Sequence, residues 1–208
     1  NGMHVNMSLF KGEGNEFYKY GGTSEDFISD TAKYFIAGLM KHAKEITAVT
    51  NQWVNSYKRL IEGYEAPVYI SWASVNRSDL IRVPAYKQGR EESVRIEYRA
   101  PDPACNPYLA FSVLLAAGLD GIENSLTPPD PVEDNVYQMA EAERTKRGIG
   151  VLPGSLWEAI SLAEQSSLVR NCLGDHVFNS FLQNKKIEWD QYKAHVSDFE
   201  LKKYLPIL

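Results

Sequence analysis

His4 and Glu97 are the side chains of this sequence best placed to hold a metal ion together. Residues 3–9 alternate, with Met3, Val5, Met7 and Leu9 on one side and His4, Asn6 and Ser8 on the other. Residues 93–99 repeat the pattern, with Val94, Ile96 and Tyr98 inward and Ser93, Arg95, Glu97 and Arg99 opposite. A period of two marks a half-buried strand. An imidazole and a carboxylate projecting from two such strands onto one sheet face can share a Mg²⁺ or Mn²⁺ ion, with other oxygens completing the shell. The same residues also suit a plainer arrangement, in which His4 is a hydrogen-bonded polar side chain and Glu97 pairs with Arg95 or Arg99.

Arg59, Arg77, Arg82 and Arg99 fall in or beside predicted loops and strand ends, away from solvated helix faces. A guanidinium holds carboxylate or phosphate oxygens two at a time, so a cluster of four suits a small polyanion. The alternative is a set of surface ion pairs worth ~0–1 kcal/mol each. Glu65 sits in Glu62-Gly63-Tyr64-Glu65-Ala66-Pro67, a glycine-hinged loop before a strand. A carboxylate there can close over a site and take a proton, or be an exposed side chain without a role. His42, His176 and His195 lack partners at ligand spacing and are assigned to structure or surface. Neither cysteine has a base partner, and no phosphate-binding glycine loop or nucleophile elbow is present.

A chain of 208 residues suits one large domain or two small ones, and 44% apolar with 24% charged residues is a globular composition. Disordered, collagen-like and coiled-coil classes drop out. No apolar run approaches the ~18 residues that cross a bilayer, so no membrane role is expected. A net charge of −5 argues against a nucleic-acid partner. Two cysteines, Cys105 and Cys172, are too few for a disulfide framework, which makes the reduced cytoplasm the expected compartment. The chain begins Asn1-Gly2-Met3-His4, within a strand pattern and without an initiator methionine, and a fragment is expected.

The elements that must position these residues follow from periodicity. A helix is predicted from a cap at Thr23 or Ser24 to about residue 48, on the spacing of Ile28, Ala32, Phe35, Ile36, Leu39, Met40, Ala43 and Ile46. A long ordered loop covers 49–64, and strands are predicted at 67–74, 80–84 and 93–99 with a hairpin tip at 88–92. Asn106 and Pro107 open an apolar helix running to Ile122. Residues 134–150, including Tyr137, read as a charged exposed segment. Ser155-x-x-Glu158 is a capping box, and further helices are predicted at 167–184 and 188–204. The expected class is α+β: an antiparallel-rich curved sheet backed by helices over 1–105, then a helical portion over 106–208.

Taken together, the motifs are more specific than any one alone. Gly2-Met3-His4-Val5-Asn6-Met7-Ser8 resembles the end of the ATP-binding signature of glutamine synthetases. Asn55-Ser56-Tyr57-Lys58-Arg59-Leu60, followed by Gly63-Tyr64-Glu65-Ala66-Pro67, resembles that family's glutamate-binding loop and flap. Asn76-Arg77-Ser78 with Ile81-Arg82-Val83-Pro84 resembles its phosphate-binding arginines, and the run from Arg95 to Tyr108 its metal-and-substrate strand. The order and spacing hold over essentially the whole chain. The likeness is to type I bacterial and archaeal members, particularly the shorter subclass.

The resemblance implies a guanido-kinase-like catalytic fold and ATP-dependent ligation of ammonia to L-glutamate through γ-glutamyl phosphate. It implies His4 and Glu97 as ligands of Mg²⁺ (or Mn²⁺), and Asn6, Met7, Ser8, Arg77 and Arg82 at ATP. Glutamate would be bound by Gly2, Arg59, Glu65, Arg77 and Arg99, with Glu65 and Arg77 catalytic. The chain would be the carboxy-terminal part of the catalytic domain, lacking the β-grasp domain and the strands that supply other metal glutamates. Because family sites lie between subunits, the polypeptide alone is expected to be inactive and the full enzyme to be a cytoplasmic dodecamer of two hexamers. The departures are Glu62, where a proline is usual, and Asn6, where many members have histidine. Two alternatives stand beside this: a ligase joining glutamate to a polyamine, and a non-catalytic structural or regulatory relative.

Overall fold

The computed structural model describes residues 2–23, 26–62, 66–74, 76 and 78–207. In chain order the elements are β1 (Val5–Met7), β2 (Phe10–Lys11), β3 (Gly14–Asn15), α1 (Asp30–Thr50) and α2 (Ser56–Arg59). Then come β4 (Tyr69–Ile70), β5 (Trp72–Ala73), β6 (Ile81–Arg82), β7 (Ile96–Tyr98) and α3 (Pro107–Glu123). Last are α4 (Glu141–Lys146), β8 (Gly150–Val151), α5 (Leu156–Glu164), α6 (Ser167–Ala194) and α7 (Asp198–Tyr204). The class is α+β, as expected. Among the described residues no helix is long and apolar enough to cross a membrane.

The main sheet runs β1-β7-β6-β5. β7 is antiparallel to both β1 and β6, and β5 joins parallel to β6. The register stacks Asn6, Glu97 and Arg82 in one cross-strand row, with Val5, Tyr98 and Ile81 in the next. Residues directly opposite share a face, so the second row enters the core while the first faces away from it. Val5, Tyr98 and Ile81 are all buried.

α1 begins later than its periodicity suggests. Residues 26–29 pair back on 17–19 instead, with Lys19 N–H donating to Phe27 O and Ser29 N–H to Phe17 O. With those backbone groups spent, the helix starts after Ser29, whose hydroxyl accepts from Ala32 N–H at 3.1 Å. The strand expected at 67–74 is two strands. The chain turns at Ser71, so β4 pairs with β8 while β5 enters the main sheet.

Residues 134–150 are mostly exposed, as expected, and only Val136 among them is buried. Val136 is fully buried in a second, smaller core with Leu60, Ala66, Val68, Tyr69 and Val132. The gap expected between helices at 167–184 and 188–204 is absent, since α6 runs through it with its charges paired. Lys185 meets Glu188 at 2.7 Å and Lys193 meets Asp190 at 2.7 Å. The interruption lies at Gly174, with φ of 72°, and the next helix opens at Ser197 with a capping box.

α1 and α3 form the backbone-to-backbone contact behind the sheet. A methyl at Gly38 would stand 2.1 Å from Ala117 O, and one at Gly121 would stand 2.0 Å from Tyr34 O. Neither carbonyl belongs to a side chain that could swing aside. Gly38→Ala and Gly121→Ala are therefore each expected to destabilise by roughly 2–3 kcal/mol or more, since overpacking here must move helix axes. Gly154→Ala, where a methyl meets only the Glu158 carboxylate at 3.8 Å, should stay within about 0.5 kcal/mol. Chemical denaturation of the three variants checks this.

Candidate active site

The polar row of the main sheet is where the chemistry-bearing residues converge. His4 immediately precedes β1, two residues before Asn6, and reaches diagonally across to β7. Its Nδ1 is 2.7 Å from Glu97 Oε1. From the other side Arg82 Nη1 donates to Glu97 Oε2 at 3.1 Å. Glu97, only 7% exposed, thus lies between a half-exposed imidazole and a guanidinium.

Arg95, one pleat along β7, donates from Nε to Asn6 Oδ1 at 2.9 Å. From the sequence alone Arg95 reads only as an ion-pair partner for Glu97. The alternation that put Arg95, Glu97 and Arg99 on one face was the signal that it lines the same surface.

Arg99 and Arg59 lie at the far end of β7. Arg99 Nη1 donates to Asp79 O at 3.2 Å. Arg59 Nη1 donates to Ala100 O at 2.9 Å and Pro101 O at 3.2 Å, and its Nη2 to Arg99 O at 3.3 Å. Burial lowers the pKa of both arginines, with Glu97 opposing it at Arg99 and Asp102 at Arg59. Neither loses its charge, because an arginine starts so high. Gly2 lies against Arg59: a methyl there would come 2.9 Å from Nη2.

Ser8 donates its hydroxyl to Val94 O at 2.9 Å, closing the β1–β7 ladder. Met7 packs its side chain against the main core, on the opposite face from His4 and Asn6, so only its backbone is left to meet a ligand on the polar row. Glu65 and Arg77 lie outside the described residues. The described neighbours of Arg77 (Ser74, Asn76 and Ser78) make these hydrogen bonds. Glu133 accepts from Ser74 N–H at 2.8 Å and Asn76 N–H at 3.3 Å, and Ser78 donates to Asn76 Oδ1.

His4 and Glu97 suit part of a hard-cation shell. They offer one nitrogen and carboxylate oxygens at adjoining positions, and His4 Nε2 has no partner among the described residues. A Mg²⁺ or Mn²⁺ ion takes about six ligands. Among the described residues no group of three or more His, Cys, Asp or Glu side chains converges to hold one. The pair fits as a share of a site and not as the whole of it.

Two features lie apart from this row. A cavity of about 850 Å³ opens between α1, α3 and the start of α6, lined by Lys41, His42, Glu45 and Asp120 among others. His42, expected to be structural, is buried there with Nε2 2.9 Å from Asp120 and Nδ1 3.2 Å from Glu45. Tyr137 donates its hydroxyl to Ala66 O and packs on Tyr69, and the Arg144 guanidinium lies over the Tyr69 ring at 4.5 Å.

The chain matches the family described as glutamine synthetase, catalytic domain, over residues 1–204. It is 52% identical over 207 residues to the glutamine synthetase of Methanosarcina mazei, covering 100% of this chain and 45% of that protein. It is 51% identical over 205 residues to that of Mycolicibacterium smegmatis, covering 99% and 46%. Among solved structures, a GmaS/ADP complex superposes with a TM-score of 0.85 at 34% identity, over 99% of this chain and 46% of that one. GmaS without ligand gives 0.83 at 34%, over 99% and 45%. The chain spans about half the length of the curated relatives it matches. With half of its residues identical to theirs from end to end, it belongs to the glutamine synthetase family, within the catalytic domain.

Proposed function

We propose that this chain carries the phosphate- and glutamate-binding side of an ATP-dependent glutamate–ammonia ligase, which makes L-glutamine, ADP and phosphate. The observation that carries the proposal is the single polar row in which His4 and Arg82 both close on Glu97, at 2.7 and 3.1 Å. Family membership at 48–52% identity to proteins named glutamine synthetase supports it.

A carboxylate resists attack by ammonia because its oxygen is a poor leaving group. The glutamate γ-carboxylate oxygen therefore attacks the γ-phosphorus of ATP, the bridging P–O bond to the β-phosphate breaks, and ADP departs. Ammonia's lone pair then adds to the acyl carbon of γ-glutamyl phosphate, and the C–O bond to phosphate breaks. Bringing the two anions together costs several kcal/mol at an effective dielectric near ~20. Arg82 offsets this at the phosphate and Arg99 at the glutamate carboxylates, both from fixed positions that need no reorganisation as charge develops.

Arg59 positions the backbone after β7, and Gly2 leaves room beside it for the substrate. Asn6, Ser8 and the backbone of Met7 flank the nucleotide. His4 and Glu97 hold Mg²⁺ or Mn²⁺, with further ligands from outside the described residues; the bound cation adds positive charge at the transferring phosphoryl. On the family resemblance, Glu65 shields the acyl phosphate and takes a proton from ammonium, and Arg77 binds phosphate. The assembly we propose is the cytoplasmic dodecamer of two hexamers. Exposed Val196, Phe199, Leu205 and Ile207 at the carboxy-terminal end support subunit contact there.

The full-length protein, given ATP, Mg²⁺, glutamate and ammonium, is expected to release phosphate and form glutamine; turnover with putrescine but not ammonium would move the assignment to a polyamine ligase. The 208-residue chain alone should show no turnover. In the full-length protein, Glu97→Gln and His4→Ala should each raise the Mg²⁺ concentration giving half-maximal rate by roughly 10–100-fold. An unchanged metal titration in both would remove the pair from the cation site.

A further inference from the structure

The long helix α6 reaches back to the residues that open α2, through contacts that the mechanism above does not use. Glu188 Oε1 accepts from Val54 N–H at 3.2 Å, a partner 134 positions away in the chain. The other oxygen, Oε2, accepts from Lys185 Nζ at 2.7 Å, one turn back along α6. Lys185 is only 6% exposed, so the contact meets a charge that solvent hardly reaches. A second tie lies one turn further on, where the Lys58 ammonium stands 5.6 Å from the centre of the Tyr192 ring. α2 is thereby joined to α6 by a charge-assisted hydrogen bond ahead of its first residue and by a cation–π contact within it.

The turn held in this way leads straight to Arg59. Trp53 N–H donates to Ser56 Oγ at 3.2 Å, Ser56 N–H donates to Trp53 O at 2.9 Å, and Tyr57 N–H donates to Val54 O at 3.3 Å. Val54 therefore belongs to the turn from which α2 grows, and Arg59 ends that helix. The Arg59 guanidinium in turn donates to the carbonyls of residues 99–101, beside the root of the Arg99 side chain. A helix of four residues is too short to be stable by itself, so its direction depends on what ties it down.

We propose that Lys185 and Glu188 are positioning residues: from α6 they set the direction of α2, and with it the place of Arg59, for the binding of glutamate. The inference rests on the proposed reaction for its substrate and on these contacts for its mechanics. Glu188 supplies the acceptor for Val54 N–H, and Lys185 turns the carboxylate so that its free oxygen faces that donor. Removing the carboxylate leaves a backbone N–H without its acceptor and a buried ammonium without its partner. A displacement of about 1 Å at a group that orients substrate can cost up to roughly 100-fold in rate or binding.

The test uses the full-length protein with Glu188→Ala, Glu188→Gln and the double variant Lys185→Met with Glu188→Leu. The readouts are KM for glutamate, KM for ATP, kcat, thermal midpoint and amide exchange over 52–59. Glu188→Ala should raise the glutamate KM by roughly tenfold or more, with kcat and the ATP KM little changed and exchange over 52–59 faster. Glu188→Gln keeps an oxygen for Val54 N–H and should recover most of the wild-type KM. The double variant removes both charges while filling the same space, so its midpoint should hold. Its glutamate KM should nonetheless rise as in Glu188→Ala, because Val54 N–H has lost its acceptor. A double variant with wild-type KM and exchange overturns the inference, and so does a Glu188→Ala enzyme whose KM for glutamate and for ATP rise together. Unchanged exchange over 52–59 in Glu188→Ala overturns it whatever the wild type catalyses. A wild type that forms no glutamine, while exchange over 52–59 quickens in the variants as stated, refutes the proposed reaction and leaves the tether of α2 to α6 standing.

Discussion

The Glu97 carboxylate is the constraint on which the site depends. It is held on a central strand, almost out of water, and its two oxygens are taken by His4, just ahead of β1, and Arg82 from β6. A buried charge of this kind persists only when its lone pairs are met, because removing one partner leaves a desolvated ion. The contact therefore does two things at once. It ties three strands on the face away from the core, and it fixes a ring nitrogen, a carboxylate and a guanidinium within a few ångströms of one another. The polar face of the sheet is preorganised by the same pairing that holds the sheet together.

Behind that face the scaffold is stiff for a different reason. Glycines let the α1 and α3 backbones meet directly, and an interior packed at this density transmits displacement instead of absorbing it. The front is less complete. β1 lies at the end of the strand order, and among the described residues no third His, Cys, Asp or Glu side chain joins His4 and Glu97 in a group that could hold a metal ion.

The arginines divide by what already occupies them. Arg59 spends its donors on the carbonyls of residues 99–101, so its first task is to shape the turn after β7. Arg82 and Arg99 each donate to a protein oxygen across a strand or loop, which fixes both guanidiniums beside the polar row. The small second core under β4 and β8 holds the 132–136 stretch, and through Glu133 it holds the loop that precedes β6. Packing remote from the polar row thus decides where Ser74 and Asn76 stand.

Much of this was legible in the residues. Period-two alternation placed His4 and Asn6 on one face and Glu97 with its flanking arginines on another, because the pleat leaves a side chain no other choice. Helical spacing found α1 and α3, and the local chemistry of Asn106, Pro107 and Ser155 found helix starts. What the residues could not show was pairing. The split at Ser71, the late start of α1 after Ser29, the burial of Val136 and the unbroken run of α6 past Lys185 all follow from hydrogen bonds or ion pairs to partners that local patterns do not name. Local periodicity determines which way a side chain points; only the folded chain decides what it meets there, because that depends on contacts between residues far apart in the sequence.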